Sequence, residues 1–124
     1  NKTVYCFDGD GAVLMHTGSL GIIGELNLNN FKHIVFNNGA HDSVGGQPTV
    51  GFDISFGHIA KSFNYTKVFK IEKLNEFDEI FMDFQKEKGP CLLEILVNKG
   101  ARKDLGRPTV TPKENKLNFM SFIK

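Results

Sequence analysis

The chain has few cysteines, no long apolar run and only two arginines. Its two cysteines, Cys6 and Cys91, both stand inside apolar, strand-like runs. We therefore predict buried apolar side chains in a reducing compartment, and neither a disulfide nor a metal-binding pair. No stretch reaches the length of a transmembrane helix, and no charged-then-apolar leader precedes the first apolar run. We expect a cytoplasmic protein with no membrane contact.

Other absences narrow the class of protein. The sequence has no internal repeat, no low-complexity segment and no broad basic patch with aromatic residues, so a nucleic-acid surface is not expected. A chain of 124 residues with 40% hydrophobic content predicts a single domain, residues 1–124, with its own core. The charge is uneven: residues 1–97 hold 8 lysines and 12 acids, whereas residues 98–124 hold 7 basic residues and 2 acids.

Two polar motifs stand at the ends of two apolar runs. The first run, residues 3–8, leads into Gly-Asp-Gly at residues 9–11. The second run, residues 33–36, leads into Asn-Asn at residues 37–38. The two motifs are separated by 25 residues. This spacing leaves room for one helix, which predicts a strand, a helix and a parallel strand. A right-handed crossover brings both strand ends to one edge of the sheet, where such sheets bind ligands. The Asp10 carboxylate and an asparagine carboxamide would meet there as hard oxygen donors suited to Mg²⁺ on phosphate oxygens.

Two other ligand-binding loops are excluded in this segment. A calcium loop counted from Asp8 needs an oxygen ligand at its fifth position and a glutamate at its twelfth, and these are Ala12 and Ser19. A dinucleotide-binding loop needs a third glycine at position 14, which is Leu14. An ordinary strand-to-helix turn is the remaining alternative, and Gly-Asp-Gly alone would favour it.

The rest of the chain continues the α/β pattern. An amphipathic stretch is predicted at residues 54–63, strands at residues 67–71 and 92–97, and a loop at residues 99–110. A helix between the two strands is predicted from apolar residues at helical spacing, which we assign to the core: Leu74, Phe77, Phe81 and Phe84.

A final helix is predicted to open at residues 111–114, because Thr-Pro-Lys-Glu is a capping box with proline at the first helical position. The expected fold class is therefore α/β: a doubly wound parallel sheet with helices on both faces and four visible strands. A parallel strand needs cover on both faces, and the chain opens almost directly on its first strand. We therefore expect a fragment of a larger protein.

Three segments carry a resemblance to a known family: residues 8–16, residues 37–50 with their Gly-Gly-Gln-Pro-Thr stretch, and residues 100–109. Together they resemble the phosphonopyruvate decarboxylases, which are thiamine-diphosphate enzymes, and the resemblance runs from about Val4 to Met120. Sulfopyruvate decarboxylases share the Gln-Pro-Thr stretch and remain an alternative, as do other 2-oxo acid decarboxylases and a cofactor-binding subunit without catalysis.

The resemblance implies a site for thiamine diphosphate and Mg²⁺. The implied metal ligands are the side chains of Asp10 and Asn38 and the backbone carbonyl of Ala40, while Asn37 closes the strand end through hydrogen bonds. His41 and Asp42 follow the metal loop as candidate catalytic residues, although His41 could equally be a hydrogen-bonded loop histidine. The implied cofactor contacts are Gly9, Asp10, Gly11, Ala12, Asn38, Ala40 and His41.

The resemblance also implies a small-molecule substrate, 3-phosphonopyruvate, and a pyrimidine-binding partner domain in a homo-oligomer. The expected phosphonate ligands are Arg102, Lys103 and Arg107, because arginine forms bidentate hydrogen bonds with such groups. Surface ion pairs are the alternative for these three residues.

The remaining glycines and histidines receive structural assignments. Gly18, Gly21 and Gly24 recur on one face of the first predicted helix, where we expect close packing rather than cofactor contact. His33 and His58 are predicted to be structural or surface residues.

Overall fold

The chain alternates strands and helices over residues 2–124, which a computed structural model describes. The main strands lie close to the predicted ranges, and the strand predicted at residues 67–71 has those bounds. In chain order the elements are β1 Val4–Gly9, α1 Asp10–Met15, α2 Gly18–Leu26, β2 Phe31–Asn37, β3 Ala40–His41, β4 Gln47–Pro48, α3 Phe56–Ser62, β5 Lys67–Ile71, α4 Phe77–Lys86, β6 Cys91–Leu96 and α5 Pro112–Ile123.

Four of the strands form one parallel sheet in the order β1-β2-β6-β5. The register pairs Gly9 with Phe36 and Asn37 with Leu96, so the carboxyl ends of β1, β2 and β6 lie side by side. The α/β class and the doubly wound arrangement are therefore confirmed.

Helices cover both faces of this sheet, as predicted. On one face α1, α2 and α3 pack over Val35 and Leu92, which are fully buried. On the other face α4 packs through Phe84 against Ile34 and Leu93. Burial of these apolar side chains supplies the main favourable term of folding.

The prediction of a single helix between β1 and β2 is wrong, because this segment forms two helices, α1 and α2. His16 leaves helical geometry at φ −125° and ψ 32°. The Thr17 hydroxyl donates to the carbonyls of Val13 and Leu14 at 2.9 and 3.0 Å and so satisfies the end of α1. This local alternative to the helical ladder accompanies the two-residue break, His16 and Thr17, between α1 and α2.

The core assignment of Leu74 is also wrong, since its side chain is 89% exposed. Residues Leu74–Glu76 form a 3₁₀ turn ahead of α4. A 3₁₀ turn has three residues per turn, so Leu74 falls out of phase with the apolar face of α4. Phe77, Phe81 and Phe84 do pack into the core cluster on that face.

Gly24 and Gly21 of α2 allow close packing against the residue that follows α3. A β-carbon on Gly24 would lie 1.5 Å from the carbonyl oxygen of Phe63, and one on Gly21 would lie 3.3 Å from the Phe63 ring. The predicted packing role is confirmed for these two glycines. Gly18 differs, because nothing lies within 4 Å of a β-carbon placed there.

The chain after β6 runs as a loop to Thr111, where the predicted capping box begins α5. The Thr111 hydroxyl accepts from the Glu114 amide at 3.3 Å, and Glu114 Oε2 accepts from the Thr111 amide at 2.8 Å. Cys6 and Cys91 are free thiols, and Cys91 is buried as predicted, whereas Cys6 is half-buried. Within residues 2–124, no helix combines the length and apolar character needed to cross a bilayer.

Candidate functional site

The two sequence motifs meet at one edge of the sheet, as the crossover argument predicts. Asp10 opens α1 directly after β1, and Asn38 follows the last residue of β2. The parallel register places Gly9 beside Phe36, so the two motifs start from neighbouring positions.

A cavity of about 290 Å³ lies between these strand ends. The residues implied as cofactor and metal contacts all line it, as do the catalytic candidates, so the structure brings this whole set together. Three further residues complete the lining: Phe36, Ser43 and Val97. The expected set is Gly9, Asp10, Gly11, Ala12, Asn38, Ala40, His41 and Asp42.

Asp10 is held rigidly, with 1% of its surface exposed. Its Oδ2 accepts a short hydrogen bond from the Thr49 hydroxyl, and that hydroxyl accepts from the Gly51 amide at 3.1 Å. Its other oxygen, Oδ1, takes no hydrogen bond within residues 2–124. Every fully buried side-chain nitrogen or oxygen there has a hydrogen-bond partner, so Oδ1 is not fully buried. Oδ1 is therefore open to the cavity and available to a cation.

Asn37 is fully buried and does not line the cavity. Its Nδ2 donates at 2.7 Å both to the Gly51 carbonyl and to Glu94 Oε1. Its Oδ1 accepts from the Gly39 amide at 3.1 Å. These bonds close the strand end, which is the role expected for Asn37.

Asn38 lies at the cavity and is oriented by the loop that follows it. Its Nδ2 donates to Asp42 Oδ2 at 2.8 Å, and its Oδ1 accepts from the Ala40 amide at 3.0 Å. A carboxamide oxygen has two lone pairs, so one remains for a metal ion. Ala40 belongs to the same cavity lining.

His41 lies across the first turn of α1. A β-carbon on Gly11 would stand 2.3 Å from His41 Nδ1, so only glycine permits this approach. Gly39 has a further reason to be glycine, since its φ is +63° and a β-carbon there would meet the Phe52 ring at 2.5 Å. The loop between β2 and β3 is thus shaped to bring His41 to the mouth of the cavity.

Asp42 is tied into a structural link. Its Oδ2 accepts from Asn38 Nδ2 at 2.8 Å and from the Gly100 amide at 2.6 Å. The carboxylate therefore joins the loop after β2 to the loop after β6, and both loops border the cavity.

The three expected phosphonate ligands do not line this cavity. Arg102, Lys103 and Arg107 are all exposed, and Arg102 Nε lies 3.4 Å from Asp104 Oδ1 in a solvent-exposed ion pair. Only the start of their loop reaches the site, through Val97 in the lining and through Gly100.

Sequence reasoning missed two residues that shape the site. Thr49 holds Asp10 from 39 positions away, and Glu94 holds Asn37 from 57 positions away. The first had a signal, because Thr49 ends the Gly-Gly-Gln-Pro-Thr stretch that carried the resemblance. The signal for the second was weak, since Glu94 is a single charged residue in the otherwise apolar strand β6.

A cavity at the carboxyl ends of parallel strands is the usual ligand-binding position of an α/β domain, and the family comparison identifies which family of such domains this is. Residues 1–95 match the family described as thiamine pyrophosphate enzyme, C-terminal TPP binding domain. The chain belongs to this family.

Three relatives show where in the family it stands. It is 34% identical over 122 residues to a phosphonopyruvate decarboxylase of Streptomyces viridochromogenes, with 98% of this chain and 31% of that protein covered. It is 31% identical to one of Streptomyces hygroscopicus, with 98% and 30% covered. It is also 31% identical over 122 residues to the sulfopyruvate decarboxylase subunit beta of Methanocaldococcus jannaschii, with 98% and 64% covered.

The chain thus spans about a third of the length of the phosphonopyruvate decarboxylases it matches.

Proposed function

We propose that thiamine diphosphate and Mg²⁺ bind in the cavity between the ends of β1 and β2. The family match supports the cofactor, and the open Asp10 Oδ1 supports the metal, because an unshared carboxylate oxygen is a preferred Mg²⁺ ligand. Asp10 Oδ1, Asn38 Oδ1 and the Ala40 carbonyl would hold the ion. Gly9, Gly11 and Ala12 would let the backbone approach the diphosphate.

The donor set fits this assignment in charge and in hardness. The three proposed donors are oxygens, which suit Mg²⁺, and the charge of the ion would offset that of the diphosphate. Thr49 would act from behind the site by holding Asp10 Oδ2 and so aiming Oδ1 at the ion.

The reaction we assign to the whole protein is decarboxylation of 3-phosphonopyruvate to phosphonoacetaldehyde and CO₂. The two phosphonopyruvate decarboxylases among the relatives support this assignment. When bound, the cofactor supplies the electron sink for the bond to the departing carboxylate. This chain would fix the diphosphate end and present His41 at the mouth of the cavity.

His41 is our candidate for contact with substrate, and Asp42 our candidate for organising the site. His41 is half-buried beside Gly11, close enough to α1 to border both cofactor and substrate. The two hydrogen bonds on Asp42 make it a positioning residue for Asn38 and for the loop at Gly100.

Arg102, Lys103 and Arg107 are proposed to bind the phosphonate once their loop folds over the cavity. Their exposure and the anchor at Gly100 are compatible with a loop that orders against a partner domain. We infer that this partner is the pyrimidine-binding domain of a longer, homo-oligomeric protein, because the chain covers 31% of its relative. We place that protein in the cytoplasm, where Cys6 and Cys91 would stay reduced.

Sulfopyruvate is the second candidate substrate. The observation that favours it is the match to sulfopyruvate decarboxylase subunit beta, of which the chain covers 64%, about twice its share of the phosphonopyruvate enzymes. Both substrates are 2-oxo acids with a second anionic group, so the same loop could serve either.

The test is a direct assay of the full-length protein with thiamine diphosphate and Mg²⁺. CO₂ and aldehyde formation would be measured with 3-phosphonopyruvate, sulfopyruvate and pyruvate at matched concentrations. The proposal predicts the highest kcat/KM on 3-phosphonopyruvate. A higher value on sulfopyruvate would select the second candidate, and no turnover of any 2-oxo acid would reject decarboxylation.

The 124-residue chain serves as the matched control in that assay. It should bind Mg²⁺ and the cofactor weakly and show no CO₂ release, because the half of the site that activates the cofactor is not among residues 2–124.

A further inference from the structure

Three metal-ligating side chains meet outside the cofactor cavity, on the face of the sheet covered by α1 to α3. Cys6 and Asp8 stand two residues apart on β1, so both point to the same face. His33 on β2 is the register partner of Cys6. One ligand atom from each residue, Sγ, Oδ2 and Nε2, lies within 4.8 Å of the other two.

Two of the three ligand-to-ligand distances lie near those of a tetrahedral metal site, and the third is within 4.8 Å. Cys6 Sγ lies 3.6 Å from Asp8 Oδ2, and His33 Nε2 lies 2.8 Å from the same oxygen. Bond lengths of about 2.0 to 2.3 Å to Zn²⁺ imply ligand-to-ligand distances of about 3.3 to 3.6 Å. The sulfur is already at this distance, and Asp8, whose side chain is 37% exposed, has room to turn away from His33 by about 0.5 Å.

His33 is fixed from behind, as a metal-binding histidine requires. Its side chain is 3% exposed, and its second nitrogen, Nδ1, lies 3.2 Å from the hydroxyl of the buried Tyr65. Such a partner sets the tautomer and aims the first nitrogen at the ion. The neutral ring is the form of histidine that coordinates metals.

The donor types select the metal. A thiolate, an imidazole and a carboxylate suit Zn²⁺, whereas Mg²⁺ prefers oxygen ligands alone. None of the three residues lines the cofactor cavity, although Asp8 is two positions from Asp10. The partly exposed Asp8 also leaves a side open for a fourth ligand from solvent.

We propose that Cys6, Asp8 and His33 form a Zn²⁺ site that joins β1 to β2, separate from the cofactor cavity. An ion there would displace the proton of the Cys6 thiol into solvent. The neutral His33 ring would carry its single proton on Nδ1, facing the Tyr65 hydroxyl, so that Nε2 is free to coordinate. It would tie the edge strand β1 to its neighbour. Since it binds only the folded chain, it would also raise the midpoint of thermal unfolding.

The experiment is a titration of the 124-residue chain with Co²⁺ and then with Zn²⁺, in excess Mg²⁺ and in an Asp10→Asn background. We expect one equivalent of Co²⁺ to give a thiolate-to-cobalt absorption that Zn²⁺ abolishes. Cys6→Ser should remove this absorption, and Tyr65→Phe should weaken Zn²⁺ binding by about tenfold. Cys91→Ala is the matched control and should keep the absorption, because Cys91 is buried in the other core cluster.

A second measurement on the unsubstituted chain protects the test against variants that do not fold. Zn²⁺ should slow alkylation of Cys6 by at least about tenfold, and Mg²⁺ should leave the rate unchanged. The proposal is overturned if the Asp10→Asn chain gives no thiolate absorption, if adding Cys6→Ser to it leaves the absorption in place, or if Zn²⁺ leaves Cys6 alkylation of the unsubstituted chain unchanged. Each of these results would leave a hydrogen-bonded chain from Cys6 to Tyr65 in place of a metal site.

Discussion

The Gly100 amide donates a hydrogen bond of 2.6 Å to the carboxylate of Asp42. The same carboxylate oxygen accepts a hydrogen bond of 2.8 Å from Asn38 Nδ2. The loop that carries the proposed metal ligand and the loop that carries both arginines of the chain therefore share one anchor.

Removing that anchor should loosen the basic loop without unfolding the sheet. In the 124-residue chain, Asp42→Ala should speed hydrogen exchange at the Gly100 amide by about tenfold or more, because a bond to a charged acceptor stabilises by about 1.5 to 3 kcal/mol. Two-dimensional NMR would follow the exchange. Ser43→Ala, a change at the next exposed residue, is the control, and equal exchange in both variants would rule out the anchor.

Arg107 should matter for the anionic end of the substrate and not for the reaction itself. The carboxylate leaves as CO₂, so binding energy is better drawn from the remote phosphonate, which is unchanged throughout. In the full-length protein, Arg107→Ala should lower kcat/KM for 3-phosphonopyruvate by roughly 10- to 150-fold, and Arg102→Ala should act in the same direction.

Pyruvate, which has no phosphonate, distinguishes this role from a structural one, and Lys113→Ala on α5 is the matched basic control. Equal losses on both substrates would assign Arg107 to loop structure. No loss on either would move the phosphonate site to the partner domain.

Gly24 and Gly18 of α2 give a matched pair for the packing account. A β-carbon at Gly24 would overlap the Phe63 carbonyl at 1.5 Å, so Gly24→Ala should force α2 away from α3 and destabilise the fold by about 1 to 3 kcal/mol. Gly18→Ala meets nothing within 4 Å and should be neutral or stabilising by up to about 1 kcal/mol. Urea denaturation would measure both, and similar midpoints for the two variants would contradict the packing assigned to Gly24.

The capping box of α5 should make the last helix sensitive to acid. Hydrogen bonds from the Thr111 hydroxyl and amide hold the pKa of the Glu114 carboxyl below its usual value. The folded helix therefore prefers the ionised form, and its stabilisation is complete above about pH 4.5 and is lost as the pH falls below that value. Backbone chemical shifts of residues 112–117 should show fraying in acid, and Thr111→Ala should show the fraying already at neutral pH. A wild-type helix unchanged to pH 2 would contradict this.

Local signals in the sequence predicted much of the fold, whereas contacts between residues distant in the chain were not predicted. The strand at residues 67–71 and the capping box at Thr111 depend on neighbours in sequence, so pattern and capping chemistry located them. Leu74 was misplaced because helical spacing alone does not reveal where a 3₁₀ turn gives way to α-helix.

The residues of the candidate site likewise fall into those that the sequence predicted and those that it did not. Asp10 and Asn38 could be placed at one edge because strand direction and crossover handedness are general rules. The hydrogen bond from the Thr49 hydroxyl to Asp10 could not be predicted. It joins residues 39 positions apart and depends on how the β3–β4 segment folds back. The arginines are in an exposed loop with few contacts, so neither pattern nor packing determines where their side chains lie.

The central claim is that Asp10 holds a metal ion through which the cofactor binds. Isothermal titration of thiamine diphosphate into the full-length protein, with and without Mg²⁺, tests it most directly. Asp10→Asn keeps the shape of the side chain and its contact with Thr49 but removes the charge. The account predicts Mg²⁺-dependent binding in the wild-type protein and its loss in Asp10→Asn, with unchanged circular dichroism. Cofactor affinity that is independent of Mg²⁺, or that survives in Asp10→Asn, would contradict it.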